Sequence, residues 1–309
     1  MTPPAVPREL KLGLVGLDTS HVIIFADMLN NPESKTPLTG ARITAAWPGG
    51  SPDLPSSISR VPGYTAELRD QRGVAILDSP EAVAAACDAV LLTSLDARVH
   101  RAQFERIAAA GGGRPVFVDK PFALTGAEAR AIFECAARHG TPVFTSSSLR
   151  FSEALTAVVT PANRGEVTGA DFCGPVALEP TNPGWFWYGI HAVEMLYAAM
   201  GRGCRSVRAV KTENYDSIVG VWADGRIGTV RGNRTGNFEF HGTVHFAKRS
   251  AHVDVPACKK GFFHSLAEEI LKISAGGPVP VDAEESIELI RFIEAANESR
   301  DHDGREVRL

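Results

Sequence analysis

The chain changes its hydrophobic rhythm part-way along. Up to about residue 146, short apolar runs alternate with amphipathic stretches of helical period. The runs are LGLVGL (12–17), RITAAW (42–47), VAIL (74–77), DAVLLT (88–93), PVFVD (115–119) and PVFTS (142–146). They are short and apolar enough to be strands buried on both faces. Between them lie helices. Asp18, Thr19 and Ser20 supply N-cap candidates for HVIIFADML (21–29). Ser79-Pro80-Glu81 opens another, with a cap, a proline at the first position and an acid in the first turn. A third runs over 97–110 and stops at Gly111-Gly112-Gly113; a fourth runs over 125–139. Pro48 to Ser59 is a loop rich in Pro, Gly and Ser. Six such alternations demand crossover connections, hence a doubly wound parallel sheet with helices on both faces. Ligands bind such sheets at the carboxyl ends of the strands. The loops after Leu17, Trp47, Thr93 and Asp119 are therefore predicted to line one crevice.

From Glu166 the pattern becomes extended. EVTGADF, RSVRAVKTENY, SIVGVWAD, RIGTVRG, FEFHGTVHFA and SAHVDV are separated by turn signals such as Ala223-Asp224-Gly225-Arg226 and Gly232-Asn233. This predicts a large, mostly antiparallel sheet, interrupted by a helix over 190–200 and followed by helices over 263–274 and 284–299. The fold class is α/β, with a second α+β domain.

Length and charge narrow the function. The 309 residues suit about two domains. Lys and Arg number 32 against 36 Asp and Glu, for a net charge of −4. With no basic run, a nucleic-acid partner is not expected. Hydrophobic residues at 44% and charged residues at 22% describe a folded chain. No stretch is apolar and long enough for a transmembrane helix, and MTPPAVPREL lacks the apolar core of a secretory leader. The five cysteines lack CxxC spacing, so neither a disulfide framework nor a structural metal site is expected. The chain reads as a cytoplasmic protein with reduced cysteines.

Four places carry candidate chemistry. The first is the turn Gly13-Leu14-Val15-Gly16-Leu17-Asp18, which lacks the full GxGxxG pattern. Backbone N–H groups there, with Thr19 and Ser20, can face a phosphate. Asp18 would repel one, so a plain α/β turn and a nucleotide site both remain open. The second is the end of the second strand, Trp47-Pro48-Gly49-Gly50, with no acid for an adenosine ribose before Asp53. The third is Asp119-Lys120-Pro121. The proline holds the lysine extended at the crevice, where it could move protons or be a turn lysine. The fourth is Trp185-Phe186-Trp187-Tyr188-Gly189-Ile190-His191, an aromatic cluster around an imidazole. It suits a small-molecule pocket with a general acid/base, or a core histidine under an aromatic lid. His241 and His245 share a strand face about 13 Å apart, too far for one metal ion.

Taken in order, the motifs resemble the Gfo/Idh/MocA family of NAD(P)-dependent oxidoreductases. VDKPFALTGAEAR (118–130) is similar to the family's EKP segment. LRFSEAL followed by RGEVTGA (149–170) is similar to its Arg-Phe segment and glycine stretch. YGIHAVEML (188–196) is similar to its G-x-H-x-x-D helix, and ESRDHDGREVRL (298–309) to its tail. The resemblance implies a Rossmann dinucleotide-binding domain over 1–122 and an α/β substrate-binding and oligomerisation domain over 123–309. It implies NAD or NADP as cofactor, and hydride exchange with a hydroxyl-bearing carbon of a sugar-like or polyol-like substrate. Lys120 and His191 match the catalytic pair. Gly13, Gly16, Leu17, Thr19, Ser20, Trp47, Thr93, Ser94, Asp119, Lys120 and Pro121 are the expected cofactor contacts. Arg98, Arg150, Trp185, Trp187, Tyr188 and His191 are the expected substrate contacts, and a homodimer or homotetramer the expected assembly. Three departures touch the chemistry. The turn lacks two glycines, Trp187 stands where the family has an acid, and the loop Thr93 to His100 is longer and carries Asp96 and Arg98. They leave open a non-redox enzyme with tightly held NAD, and a catalytically silent binding protein on the same fold.

Overall fold

The structure, a computed structural model, describes residues 8–160 and 165–309. The chain divides into two compact units. One runs to Asp119 and adds Ala131–Phe144 and Ala267–Pro280; the other takes Lys120–Arg130, Thr145–Leu266 and Val281–Leu309.

The first unit is built on six strands: β1 (Leu10–Val15), β2 (Ala41–Trp47), β3 (Ala75–Ile76), β4 (Ala89–Leu92), β5 (Val116–Val118) and β6 (Val143–Thr145). They lie in the order β3-β2-β1-β4-β5-β6. The pairs β2–β3, β1–β2, β1–β4 and β4–β5 are parallel. This is the doubly wound arrangement that the alternation predicted, and its strand order reverses beside β1, where such sheets bind ligands. The connections hold α1 (His21–Asn30), α2 (Pro55–Ile58), α3 (Val61–Arg72), α4 (Pro80–Ala86), α5 (His100–Gly111) and α6 (Gly126–His139). Helix α4 starts as its sequence indicates: Ser79 Oγ accepts the Ala82 N–H at 3.1 Å. Helix α3 gave no periodic signal because only Leu68 on it is buried. The helix expected from Ala97 begins as a 3-10 turn over Ala97–Val99, because the Asp96 side chain accepts the Arg98 N–H.

The second unit is built on a seven-stranded sheet. Its strands are β7 (Val167–Pro175), β8 (Cys204–Lys211), β9 (Tyr215–Trp222), β10 (Ile227–Asn233), β11 (His241–Phe246), β12 (Arg249–Asp254) and β13 (Val307–Arg308). The order is β12-β11-β7-β10-β9-β8-β13. Only the central pair β7–β10 is parallel. Its remaining helices are α7 (Glu153–Val159), α8 (Ile190–Met200) and α10 (Ala283–Asp301), while α9 (Phe262–Ser274) runs from this unit into the first. Helix α8 packs on β7 and β10, and α10 packs on β8. Tyr197, Trp222 and Phe292 fill that layer, with ring centroids 5.6–6.3 Å apart. The opposite face is open. Val210, Val219, Val221 and Ile227 are exposed on it, and His245 pairs with Asp171 across it.

Candidate active site

In the first unit the turn after β1 is closely fitted. Gly16 has φ 89°, and a Cβ there would fall 2.6 Å from Ser94 Cα. Only glycine meets both conditions. The Gly16 N–H donates to the Trp47 carbonyl and the Leu17 N–H to that of Pro48, while Thr93 Oγ1 donates to the Gly16 carbonyl at 2.7 Å. Gly13 has another task. It lies inside β1, where a Cβ would meet Val83 at 2.3 Å, so it lets α4 close on the sheet. Ser94 is buried and donates to Gln103, and its carbonyl contacts His100 Nε2 at 2.7 Å.

Asp18 does not point at a ligand. Its side chain is buried and accepts from Ser57 Oγ at 2.5 Å and from the Leu95 N–H at 2.9 Å. Burial pushes its pKa above the ordinary carboxylate value, against the pull of those donors. The carboxylate ties the turn after β1 to α2 and to the loop after β4. Ser20 stands at the N-cap of α1 without a side-chain cap, and no acid occupies the first turn. A positive-φ glycine before a helix N-terminus, with Asp18 tied to Ser57 and Leu95, is compatible with the pyrophosphate of a dinucleotide. The ribose acid is another matter. Trp47 ends β2, and Asp53 is held by both terminal nitrogens of Arg98 at 2.8 Å.

Arg98 was expected to meet substrate. Instead it is enclosed by carboxylates of its own unit, Asp53 on one side and Asp96 on the other. Burial pushes Asp96 up, but its hydrogen bonds from Arg98 and its other donors prevail, and its pKa stays below the ordinary value. Asp119, at the end of β5, is buried and bonded to Nδ1 of His21.

In the second unit Lys120 leads into a cis peptide bond with Pro121. Its ammonium lies 6.0 Å from the Trp187 ring centre and 5.9 Å from that of Tyr188, within cation–π range. His191, in the first turn of α8, lies 6.1 Å from the Tyr188 ring and 5.5 Å from that of Phe240. Its Nδ1 is 2.7 Å from Ser147 Oγ. Lys120, Tyr188 and His191 therefore form one chain of contacts, with Trp187 at the lysine end. Two further expected substrate contacts are buried, and one of them, Arg150, lines a small cavity together with Lys120. Trp185 is fully buried in the core, its backbone N–H donating to Asn297 Oδ1. Arg150 is buried between Glu194, at 3.3 Å, and Glu285. Burial pushes the Glu194 pKa up despite the guanidinium beside it.

Ser147, His21 and Phe240 were not singled out in the sequence. Ser147 had a signal: it follows the last parallel strand, at the carboxyl end where ligands bind. The other two had none, because their partners are remote in sequence. Among the described residues no group of His, Cys, Asp and Glu is arranged to hold a metal ion, and no helix is long and apolar enough to cross a membrane.

Residues 56–147 match the model of the GFO_IDH_MocA oxidoreductase family, whose Rossmann fold binds NAD. The match supports membership of the Gfo/Idh/MocA family. No curated protein matches the sequence. Among solved structures, the chain is similar to scyllo-inositol dehydrogenase from Lactobacillus casei with bound NAD(H) and scyllo-inositol, at 14% identity and TM-score 0.75, covering 97% of this chain and 99% of that one. An oxidoreductase from Agrobacterium radiobacter in complex with NAD+, L-tartaric acid and magnesium is similar at 17% identity and TM-score 0.73, over 97% and 98%. UDP-N-acetylglucosamine 3-dehydrogenase from Acidithiobacillus ferrooxidans is similar at 16% identity and TM-score 0.74, over 96% and 99%. At these identities the structures establish a shared fold. The family match agrees with the nicotinamide cofactor expected from the sequence.

Proposed function

We propose that the protein is an NAD- or NADP-dependent oxidoreductase that exchanges a hydride with a hydroxyl-bearing carbon of a sugar-like or polyol-like small molecule. The observation that carries this reading is the contact chain Lys120–Tyr188–His191, with His191 held by Ser147. Hydride leaves such a carbon only as the hydroxyl loses its proton, so a base must lie within reach of that oxygen. We assign that role to Nε2 of His191, with Nδ1–H donating to Ser147 Oγ. Ser147 Oγ also accepts the Leu149 N–H at 3.1 Å, which fixes the hydroxyl that orients the imidazole. The Lys120 ammonium stabilises the developing alkoxide. The nicotinamide, when bound, supplies the hydride acceptor. The turn Gly16 to Ser20, with Trp47, Thr93, Ser94 and Asp119, is the part of the chain suited to hold the dinucleotide. Trp187 and Tyr188 are the substrate-side walls. The exposed apolar positions on the second sheet suit self-association as a homodimer or homotetramer.

The test is a fluorescence titration with NADH and NADPH, followed by a substrate screen read at the nicotinamide absorbance. Lys120→Ala and His191→Ala are each expected to lower kcat on the order of 10²-fold or more, while cofactor binding persists in the histidine variant. Binding of neither cofactor, or unchanged turnover in both variants, would overturn the proposal.

A further inference from the structure

Beside His191 the second unit holds a cavity of about 540 Å³, a size typical of small-molecule sites. Its walls include Leu178, Tyr188, Phe238 and Phe240, with Arg234 as the charged member. Tyr188 and Phe240 are the rings that flank the His191 imidazole, so the cavity shares two walls with the proposed base. Leu178, Tyr188 and Phe238 are 52%, 43% and 55% exposed, an unusual concentration of wet apolar surface. Polar capacity is scarce. The Asn233 amide already donates to Asn237 and Cys173. A free polyol seated here would turn hydroxyls toward aromatic faces and lose their hydrogen bonds to water.

Arg234 adds a second feature. Its Nε donates to the Glu213 carbonyl at 2.8 Å, and its Nη2 to the Thr212 carbonyl at 2.6 Å and to Asp216 at 2.8 Å. Its Nη1 is buried with no hydrogen-bond partner. Asp216 also accepts from Arg300 at 2.7 Å, and Arg300 in turn lies 3.6 Å from Asp301.

We propose that this cavity receives an apolar group, best an aromatic ring, carried by the hydroxyl-bearing substrate. The substrate is then an aryl- or alkyl-substituted sugar or polyol rather than a free one. This rests on the reading of His191 as the base, because His191 sets which end of the substrate reacts.

The probe is 1-anilinonaphthalene-8-sulfonate, an aromatic anion, titrated by fluorescence into the full chain. One saturable site is expected. Phenyl β-D-glucopyranoside should displace the probe at concentrations about 10- to 100-fold below those needed with D-glucose or myo-inositol, the gain from burying one ring. Phe238→Ser, at an exposed position, should weaken the probe and the phenyl glucoside on the order of tenfold and leave NADH affinity unchanged. No saturable site, equal displacement by the free sugars, or an unaffected Phe238→Ser variant would each overturn the proposal. So would a wild-type oligomer that excludes the probe and dissociates in Phe238→Asp on sedimentation, since a second copy would then be the occupant. Equal displacement together with activity lost in His191→Ala would sink this inference alone. Ring binding without binding of either nicotinamide cofactor would sink the oxidoreductase reading and leave the cavity's preference standing.

Discussion

Asp18 offers the sharpest test of how the turn after β1 is built. Alanine at this position removes the acceptor of two hydrogen bonds, from Ser57 Oγ and the Leu95 N–H. Both donors are buried. A buried donor left without an acceptor costs about 1–3 kcal/mol. The serine hydroxyl can rotate toward another acceptor, whereas the Leu95 amide cannot. Against this stands the burial of the carboxylate itself, which raises its pKa and is relieved when the side chain goes. The net loss is then about 2 kcal/mol for Asp18→Ala. It is about half that for Asp18→Asn, which keeps one oxygen for Leu95. At roughly 2–4 °C per kcal/mol, the alanine variant should melt about 4–8 °C lower. The sign of the pH dependence follows from the raised pKa. The folded state binds this proton more tightly than the unfolded chain, so the contribution of Asp18 is largest below its ordinary value. It falls as pH rises through the raised value. The stability difference between wild type and Asp18→Asn should therefore narrow with rising pH. The assay is thermal unfolding by circular dichroism at two pH values, paired with NADH titration. Tighter NADH binding in either variant, with no loss of melting temperature, would refute the reasoning, because that is how a carboxylate repelling a pyrophosphate behaves.

Three further changes probe the two units. Gly16→Ala places a methyl 2.6 Å from the Ser94 backbone at φ 89°. It should cost at least about 1–3 kcal/mol in denaturant titration and weaken NADH binding. Ser147→Ala should lower kcat about tenfold with little change in KM and shift the pH profile of kcat, because the imidazole loses the hydroxyl that orients it. An unchanged profile would remove Ser147 from the assignment. Arg150→Met leaves Glu194 buried beside no cation, a loss of about 3–5 kcal/mol. The Glu194 pKa is raised even in the presence of Arg150, so the loss should deepen as pH rises and ease in acid. The double variant Arg150→Met/Glu194→Met should regain most of it in urea denaturation, and a double variant as unstable as the single one would contradict the pairing.

The parallel sheet was legible because its central strands are buried on both faces and because α4 carries a side-chain cap. Ser79 shows this best: cap, proline and acid stand in sequence, and the side chain accepts the Ala82 N–H as expected. Helix α3 was illegible for the converse reason. It buries little, and Pro62 and Gly63 occupy its first turn. Strand β13, two residues long, is defined by its partner β8 and by nothing in its own composition.

Charge was the least legible quantity. Arg98 and Arg150 each looked available for a substrate carboxylate, yet each is met by carboxylates within its own unit. The partner of Arg98 was two positions away at Asp96, and that of Arg150 lay on α8, across a long stretch of chain. A guanidinium is costly to bury alone, so a folded chain tends to supply its counter-ion, and a residue's type does not reveal whether it has done so. The same distance hid the groups that hold the candidate machinery, since Ser147 is 44 residues from His191 and His21 is 98 from Asp119. Trp187 shows what a single departure changes. Where the resembling family carries an acid, the Lys120 ammonium faces two aromatic rings instead. A ring face attracts a cation but accepts no proton. A relay running from lysine to acid has no acceptor at that position, and in the proposed reaction the proton goes to His191. Its support then comes from the serine after the last parallel strand, which is why the Ser147 variant bears on the chemistry as well as on the fold.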